Sequence, residues 1–262
     1  MTATLEVILT PAEFGPLRQR DLSQTVCVVF DILRATTSMI SALANGAEAI
    51  IPVGEIGEAL ELRRQHPDYL LAGERDGVRI RSPLTGGIDF DLGNSPREFT
   101  SERVQGRTII ITTTNGTRAL RACAGAKAVL IGSFLNLRAN VNWLRENKPT
   151  NLLLVCSGTY DQAAFEDILA AGAICERIWP NYAGGLVADS AELARRIYPL
   201  MQANLLDALK TSRNGRRLLS VPALRDDVWY SVQRETVSFT AQMSSEGIIR
   251  KMTNDEIRMT KE

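Results

Sequence analysis

Short apolar runs recur along this chain, and each leads into a stretch with helical spacing. That alternation constrains the fold more than any other feature. The clearest run is Val26-Cys27-Val28-Val29-Phe30. It holds no polar residue on either face, so both faces must be covered, as in the parallel sheets of α/β proteins. Residues 5–9, 49–53, 69–72, 108–112, 128–131 and 152–156 read as further strands. Helices are expected from Ala35 to about Asn45, where Met39, Ile40, Leu43 and Ala47 fall at helical spacing, and at 56–65, 117–124, 137–146 and 165–178. Residues 190–219 read as mostly helical, and 228–239 as a last strand or hairpin. The expected fold class is therefore α/β, a layered sandwich on a largely parallel or mixed sheet. One domain over residues 1–262 is expected, with 180–262 mostly helical. Ligands of such sheets bind outside the carboxyl ends of the strands.

Composition narrows the function. Lys+Arg and Asp+Glu balance at 30 each, and only 6% of residues are aromatic. Neither a basic surface nor a stacking platform for nucleic acid is indicated. No apolar stretch reaches membrane-spanning length. The opening Met-Thr-Ala-Thr-Leu-Glu lacks the basic start and apolar core of a signal peptide. Cys27, Cys123, Cys156 and Cys175 form no C-x-x-C pair, so they read as reduced thiols of a cytoplasmic protein. The only histidine, His66, ends a charged helix, where it suits the helix dipole. A two-histidine mechanism is excluded, and a Ser-His-Asp triad is disfavoured. Chemistry must rest on carboxylates, hydroxyls, Arg, Lys, Cys or a metal ion.

Polar clusters follow the strands. Asp31 ends the apolar run at 26–30, and Arg34, Thr36, Thr37 and Ser38 come next, at a helix start. N–H groups at such an end favour anions, an Arg adds a fork for phosphate or sulfonate, and an adjacent carboxylate suits a divalent cation. Gly73-Glu74-Arg75 follows another strand. Asp91-Leu92-Gly93-Asn94-Ser95 leads to Pro96 and Glu98, a capping-box pattern. Thr112 to Arg118, with Thr114, Asn115, Gly116 and Thr117 at its centre, supplies hydroxyls, an amide and a Gly for close backbone approach. Cys156-Ser157-Gly158-Thr159 leads to Glu166-Asp167. Each cluster alone could be a turn or a cap. Together, at one sheet edge, they predict a site for an oxyanion handled with a metal ion. No Walker A motif and no complete G-x-G-x-x-G occur.

The order of these residues resembles the 2-phosphosulfolactate phosphatase family. The likeness rests on Asp31 to Thr37, Ala44-Asn45-Gly46-Ala47, Gly73-Glu74-Arg75, Phe90 to Pro96, and Thr113 to Ala119. Cys156 to Thr159, Glu166-Asp167 and Ala171-Gly172-Ala173 extend it. It runs from about residue 4 to 180, and more faintly to Asp227. Ser38 stands where a third Thr is usual, and residues 78–89 form a longer segment than is typical. The resemblance implies a Mg²⁺-dependent phosphatase that hydrolyses 2-phospho-3-sulfolactate to 3-sulfolactate and phosphate, a step of coenzyme M biosynthesis. It also allows a homodimer.

On that reading Asp31 and Arg34 are the catalytic candidates. Asp31, Glu74, Glu166 and Asp167 are candidate metal ligands. Thr36, Thr37, Arg75, Asn94, Ser95, Thr114, Asn115, Gly116, Thr117 and Arg118 would bind anionic groups of the substrate. Asp31 could serve as general base or as nucleophile. The two-Asp pattern of haloacid-dehalogenase-type phosphatases is missing, because Leu33 occupies the second position. Cys156 does not open a C-x₅-R loop, because position 162 is Gln. Two alternatives stay open: a phosphatase for another small phosphorylated acid, and a non-catalytic binder of a small phosphate or sulfonate.

Overall fold

The structure, a computed structural model, describes residues 2–252. Its centre is a mixed sheet of eleven strands: β1 (Thr4–Ile8), β2 (Thr25–Phe30), β3 (Ala49–Pro52), β4 (Leu70–Arg75), β5 (Val78–Arg79), β6 (Thr108–Thr112), β7 (Ala128–Gly132), β8 (Asn151–Cys156), β9 (Leu186–Val187), β10 (Ala241–Met243) and β11 (Ile249–Lys251). The strand order is β5-β4-β6-β3-β11-β10-β7-β2-β8-β1-β9. Two parallel blocks make up most of it. In one, β4, β6 and β3 run together. In the other, β7, β2, β8, β1 and β9 do. The antiparallel hairpin β10–β11 stands between them, pairing β7 on one side and β3 on the other. An antiparallel step at each of these three joints leaves the two blocks running in opposite directions.

A flat sheet would place the carboxyl ends of the two blocks at opposite edges. Sheets twist by roughly 20–25° per strand, so the five steps from β6 to β2 accumulate on the order of 100°. That rotation brings the end of β6 round toward the end of β2. Gly116, after β6, and Ala35, after β2, accordingly lie so close that a Cβ on Gly116 would sit 2.7 Å from the Ala35 Cβ.

The strand sequences explain the layers. In β2, Val26, Val28 and Phe30 face one apolar core, and Cys27 and Val29 face the other. β8 divides the same way, with Leu152, Leu154 and Cys156 against Leu153 and Val155. A strand buried on both faces needs helices on both. Helices Leu137–Asn147, Phe165–Ile178 and Asp189–Met201 cover the first face. Helices Ala35–Ala44 and Gly116–Ala122 cover the second. A smaller core beneath helix Ile56–Gln65 gathers Ala59, Leu71, Phe90 and Ile110. None of the described helices is long and apolar enough to cross a membrane.

Three expectations need correction. Residues 228–239 hold no strand: Arg225–Ser231 is a helix, and the hairpin lies further on, at β10 and β11. Gly73, Glu74 and Arg75 are part of β4 and do not follow it. The strand continues because Asp76 (φ 54°) and Gly77 (φ 77°) turn the chain back onto it as β5, with Glu74 opposite Arg79. Two successive positive φ values are the signature of the tight hairpin turn that Asp-Gly favours. Finally, Pro96–Glu98 is one 3₁₀ turn, and Ser95 does not cap it. Its hydroxyl is donated to Asp227, and Glu98 accepts from the Gly93 N–H at 3.0 Å. The expected one-domain extent includes residues 253–262, which lie outside the described residues.

Helices Phe165–Ile178 and Asp189–Met201 pack through small side chains, including Ala170, Ala173, Ala191 and Ala194. Gly172 sits where a Cβ would collide with the Ala194 carbonyl oxygen. Gly172→Val should therefore force the helices apart and lower stability by about 1–3 kcal/mol, as overpacking typically does. Urea denaturation checks this; an unchanged midpoint would mean the contact yields freely.

Candidate active site

Asp31 leaves the end of β2 directly above the start of a helix. Its Oδ1 accepts from the Ala35 N–H at 3.2 Å, and its own N–H is donated to Thr36 Oγ1 at 2.9 Å. It is thus a helix-start acceptor, the modest role open to any Asp after a strand. Its second oxygen, Oδ2, takes no hydrogen bond from any described residue. A Cβ on Gly116 would come within 2.9 Å of that oxygen, so the glycine lets the loop after β6 close over it.

Asp31 lines a cleft together with Leu33, Arg34, Glu74, Asn94, Thr114 and Asn115. Thr159, Tyr160, Asn214 and Arg217 line it too, and Arg217 Nη2 donates to the Asp76 carbonyl. One residue of the cleft, Tyr160 (φ 56°), holds a left-handed backbone conformation that side chains of its kind seldom adopt. Strain of that sort persists where surrounding structure enforces it, often at a working site.

The other carboxylates brace this geometry. Glu74 accepts from Gly77 N–H at 2.6 Å and Thr114 N–H at 2.9 Å, tying β4 to the loop after β6. Asp167, at the start of helix Phe165–Ile178, accepts from Ile32 N–H at 2.8 Å and Gly158 N–H at 3.1 Å, locking the ends of β2 and β8 together. Glu166 accepts from the Asn214 amide at 2.6 Å, and that amide also reaches Thr159 Oγ1 at 2.7 Å. Glu166 and Asp167 therefore sit behind the cleft wall, while Asp31 and Glu74 line it.

All four carboxylates are buried, and none has an ion pair within reach among the described residues. The electrostatic cost is plain. Burial pushes the Asp31 carboxyl up to about 7, with Glu74 and Glu166 adding to the shift and the Ala35 N–H and Arg34 opposing it. Burial also raises Asp167 well above the carboxylate range, reinforced by Asp31 and Glu166. Glu166 is raised mainly by burial. So much unpaired buried charge calls for protons or a cation.

No group of three or more His, Cys, Asp or Glu side chains among the described residues is placed to hold a metal ion. Mg²⁺ rarely needs one: it is commonly held by one or two carboxylates, waters and substrate phosphate. Asp31 and Glu74 meet that requirement. Around them Asn94 Oδ1, Thr114 Oγ1 and Asn115 Oδ1 are buried oxygens with no hydrogen-bond partner. This all-oxygen donor set suits a hard cation with an attached oxyanion.

The remaining expected residues divide. Asn94, Thr114 and Asn115 line the cleft, and Gly116 lies against Asp31. Thr36 and Thr37 are fully buried, and their hydroxyls serve Asp31 N–H and the Ile32 carbonyl. The Thr117 hydroxyl is donated to the Thr113 carbonyl. Arg75 turns away, to the Glu74 carbonyl and Thr112 Oγ1. Arg118 is exposed and faces Asp161 at 3.4 Å. The two arginines in the cleft are Arg34 and Arg217. Arg34 is buried and paired with Asp227 at 2.7 Å; its peptide bond to Leu33 is cis. Arg217, Asn214 and Asp227 escaped the sequence reading, because nothing local distinguishes them from the polar residues of an amphipathic helix.

Comparison with known proteins places this geometry in a family. A sequence profile described as 2-phosphosulpholactate phosphatase matches residues 14–246. A protein of Caldanaerobacter subterraneus subsp. tengcongensis, named a probable 2-phosphosulfolactate phosphatase, is 36% identical over 252 residues, covering 95% of this chain and 96% of its own. Proteins of Symbiobacterium thermophilum and Thermotoga petrophila with the same name are each 38% identical. The first covers 83% of this chain and 91% of its own length, the second 85% and 88%.

The raised Asp31 fixes a sign for stability against pH. Its folded value, about 7, exceeds the ordinary 3.8, so the native state holds the proton more tightly than the unfolded chain does between those values. In EDTA, the melting temperature should fall as pH rises from about 5 to 8. Asp31→Asn should flatten that slope and melt higher than the parent at pH 8. Differential scanning calorimetry reads both, and a slope identical in parent and variant would contradict the assignment. Taken with the cleft and its buried carboxylates, the match over nearly all of the chain establishes that this protein belongs to the 2-phosphosulfolactate phosphatase family.

Proposed function

We propose that this protein hydrolyses 2-phospho-3-sulfolactate to 3-sulfolactate and phosphate with Mg²⁺, as a step of coenzyme M biosynthesis. The observation that carries the reading is the pairing, in one cleft, of a buried carboxylate that has a free oxygen, Asp31, with a buried guanidinium, Arg34. Family membership and the names of the relatives support the substrate.

The substrate carries a phosphate, a sulfonate and a carboxylate. Arg34 lines the cleft with Asp31, and its remaining N–H groups suit the phosphoryl oxygens. Asn115 and Thr114 line it as well and would orient that group. Arg217 and Asn214, also lining the cleft, suit the second acidic group. Asp31 and Glu74 would hold the Mg²⁺ ion, which when bound supplies positive charge to offset that of the phosphoryl group. Ionised Asp31 orients the attacking water and takes its proton as that oxygen bonds to phosphorus, and the proton passes on to the ester oxygen as its bond to phosphorus breaks.

Phosphate release should be measured with 2-phospho-3-sulfolactate, phospholactate and phosphoglycolate, with Mg²⁺ and with EDTA. Fast, EDTA-sensitive release favouring the sulfonated ester is expected. Release from none of the three would remove the proposal. Asp31→Asn should lower kcat by about 10²–10⁴-fold, the usual range for loss of acid–base assistance. Circular dichroism must show the fold retained. Arg217→Ala should act chiefly by raising KM.

A further inference from the structure

Asp227 is the most thoroughly engaged buried charge outside the wall of the cleft. It lies on helix Arg225–Ser231, far along the chain from the other site residues, and is fully buried. One oxygen, Oδ2, takes the Arg34 Nη1 at 2.7 Å. The other, Oδ1, takes the Ser95 hydroxyl at 2.6 Å and the Arg97 Nε at 2.9 Å. The guanidinium of Arg34 is tied at a second point, with Nη2 donating to the Gly77 carbonyl at 2.8 Å. Two anchors on different nitrogens fix the plane of a guanidinium. The edge that remains is the one available to the cleft that Arg34 lines.

We infer that Asp227 is a positioning residue: it holds Arg34 at the angle needed to meet an oxyanion in the cleft. The inference rests on the role given to Arg34 above. Three features favour it over a plain clamp between helix and sheet. Arg97, half-exposed, already joins the same helix to the 3₁₀ turn through Asp227, Asp226 and the Ala223 carbonyl. A clamp at the surface would suffice for attachment, whereas the pair with Arg34 is 3% and 0% exposed and reaches the cleft. The Ser95 hydroxyl, free to cap its own turn, is spent on orienting this carboxylate. Asn94, beside it, presents an unpartnered amide oxygen on the cleft side.

The test is a double-mutant cycle with two readouts: turnover of 2-phospho-3-sulfolactate, and binding of inorganic phosphate by calorimetry. The variants are Asp227→Asn, Arg34→Ala and the double substitution, each checked by circular dichroism. If Asp227 acts through Arg34, Asp227→Asn should lower kcat by 30-fold or more with KM within about threefold. The double variant should then match Arg34→Ala within threefold. Millimolar guanidinium should restore activity about tenfold to Arg34→Ala, where Asp227 can hold it, and not to the double variant. Phosphate affinity should follow the same non-additive pattern. Independent, multiplicative losses, or rescue that does not need Asp227, would overturn the inference. Should Asp227→Asn fail to fold, Ser95→Ala leaves the ion pair in place and removes one of the two donors to Oδ1; it should lower kcat measurably, and parent-like kcat would count against the inference. A parent protein that turns over no ester but binds phosphate would defeat the proposed function, leaving the binding cycle to decide the role of Asp227. Neither turnover nor binding in the parent would defeat both.

Discussion

The architecture depends on a ladder that should not close easily. Two parallel half-sheets of opposite direction become one sheet only because the hairpin Ala241–Lys251 supplies an antiparallel step to each. Without it, the exposed edges of β3 and β7 would present unpaired backbone groups, a liability that proteins cover. With it, accumulated twist turns the ends of β2, β4, β6 and β8 toward one another. The cleft is a consequence of that convergence. Glu74, Asp167 and Gly116 then act as fasteners, each linking loops that different strands deliver.

The electrostatics show how such a site can be held open for charge. Asp31, Glu74, Glu166 and Asp167 are buried together, and backbone N–H groups offset only part of the cost. The one buried arginine nearby is committed to Asp227. The protein thus keeps a deficit of positive charge at the cleft. Fully compensated charge would be more stable and would have less reason to bind anything.

Much of this was legible in the residues. Strands 26–30, 108–112 and 152–156 announced themselves because burial on both faces leaves no room for polar residues. Helices Ile56–Gln65 and Phe165–Ile178 matched their expected bounds. Asp31 and Arg34 stood out because a charged pair directly after an apolar run is a local signal. What failed to show was whatever depends on distant partners. Thr36, Thr37 and Thr117 read as anion ligands, yet their hydroxyls satisfy neighbouring backbone. Arg75 and Arg118 read as cationic pockets, yet they turn away from the cleft. Asp227 and Arg217 carry no local signature, since their roles arise from packing a late helix against early loops. The Asp76-Gly77 turn is different. Its sequence is a known hairpin signal, lying just ahead of a stretch rich in Gly, Ser and Pro that reads as loop.

The position of the joining hairpin in the chain has a consequence for assembly. Strand β3 ends at Pro52, and its partner β11 begins at Ile249, so the bond that unites the half-sheets is among the most distant in sequence. Pairings of that kind form slowly, because a long loop must close before they return any stabilisation. During synthesis β3 and β7 are made before β10 and β11, and each keeps an open edge until that hairpin arrives. In that interval, association between open edges of neighbouring chains competes with closure.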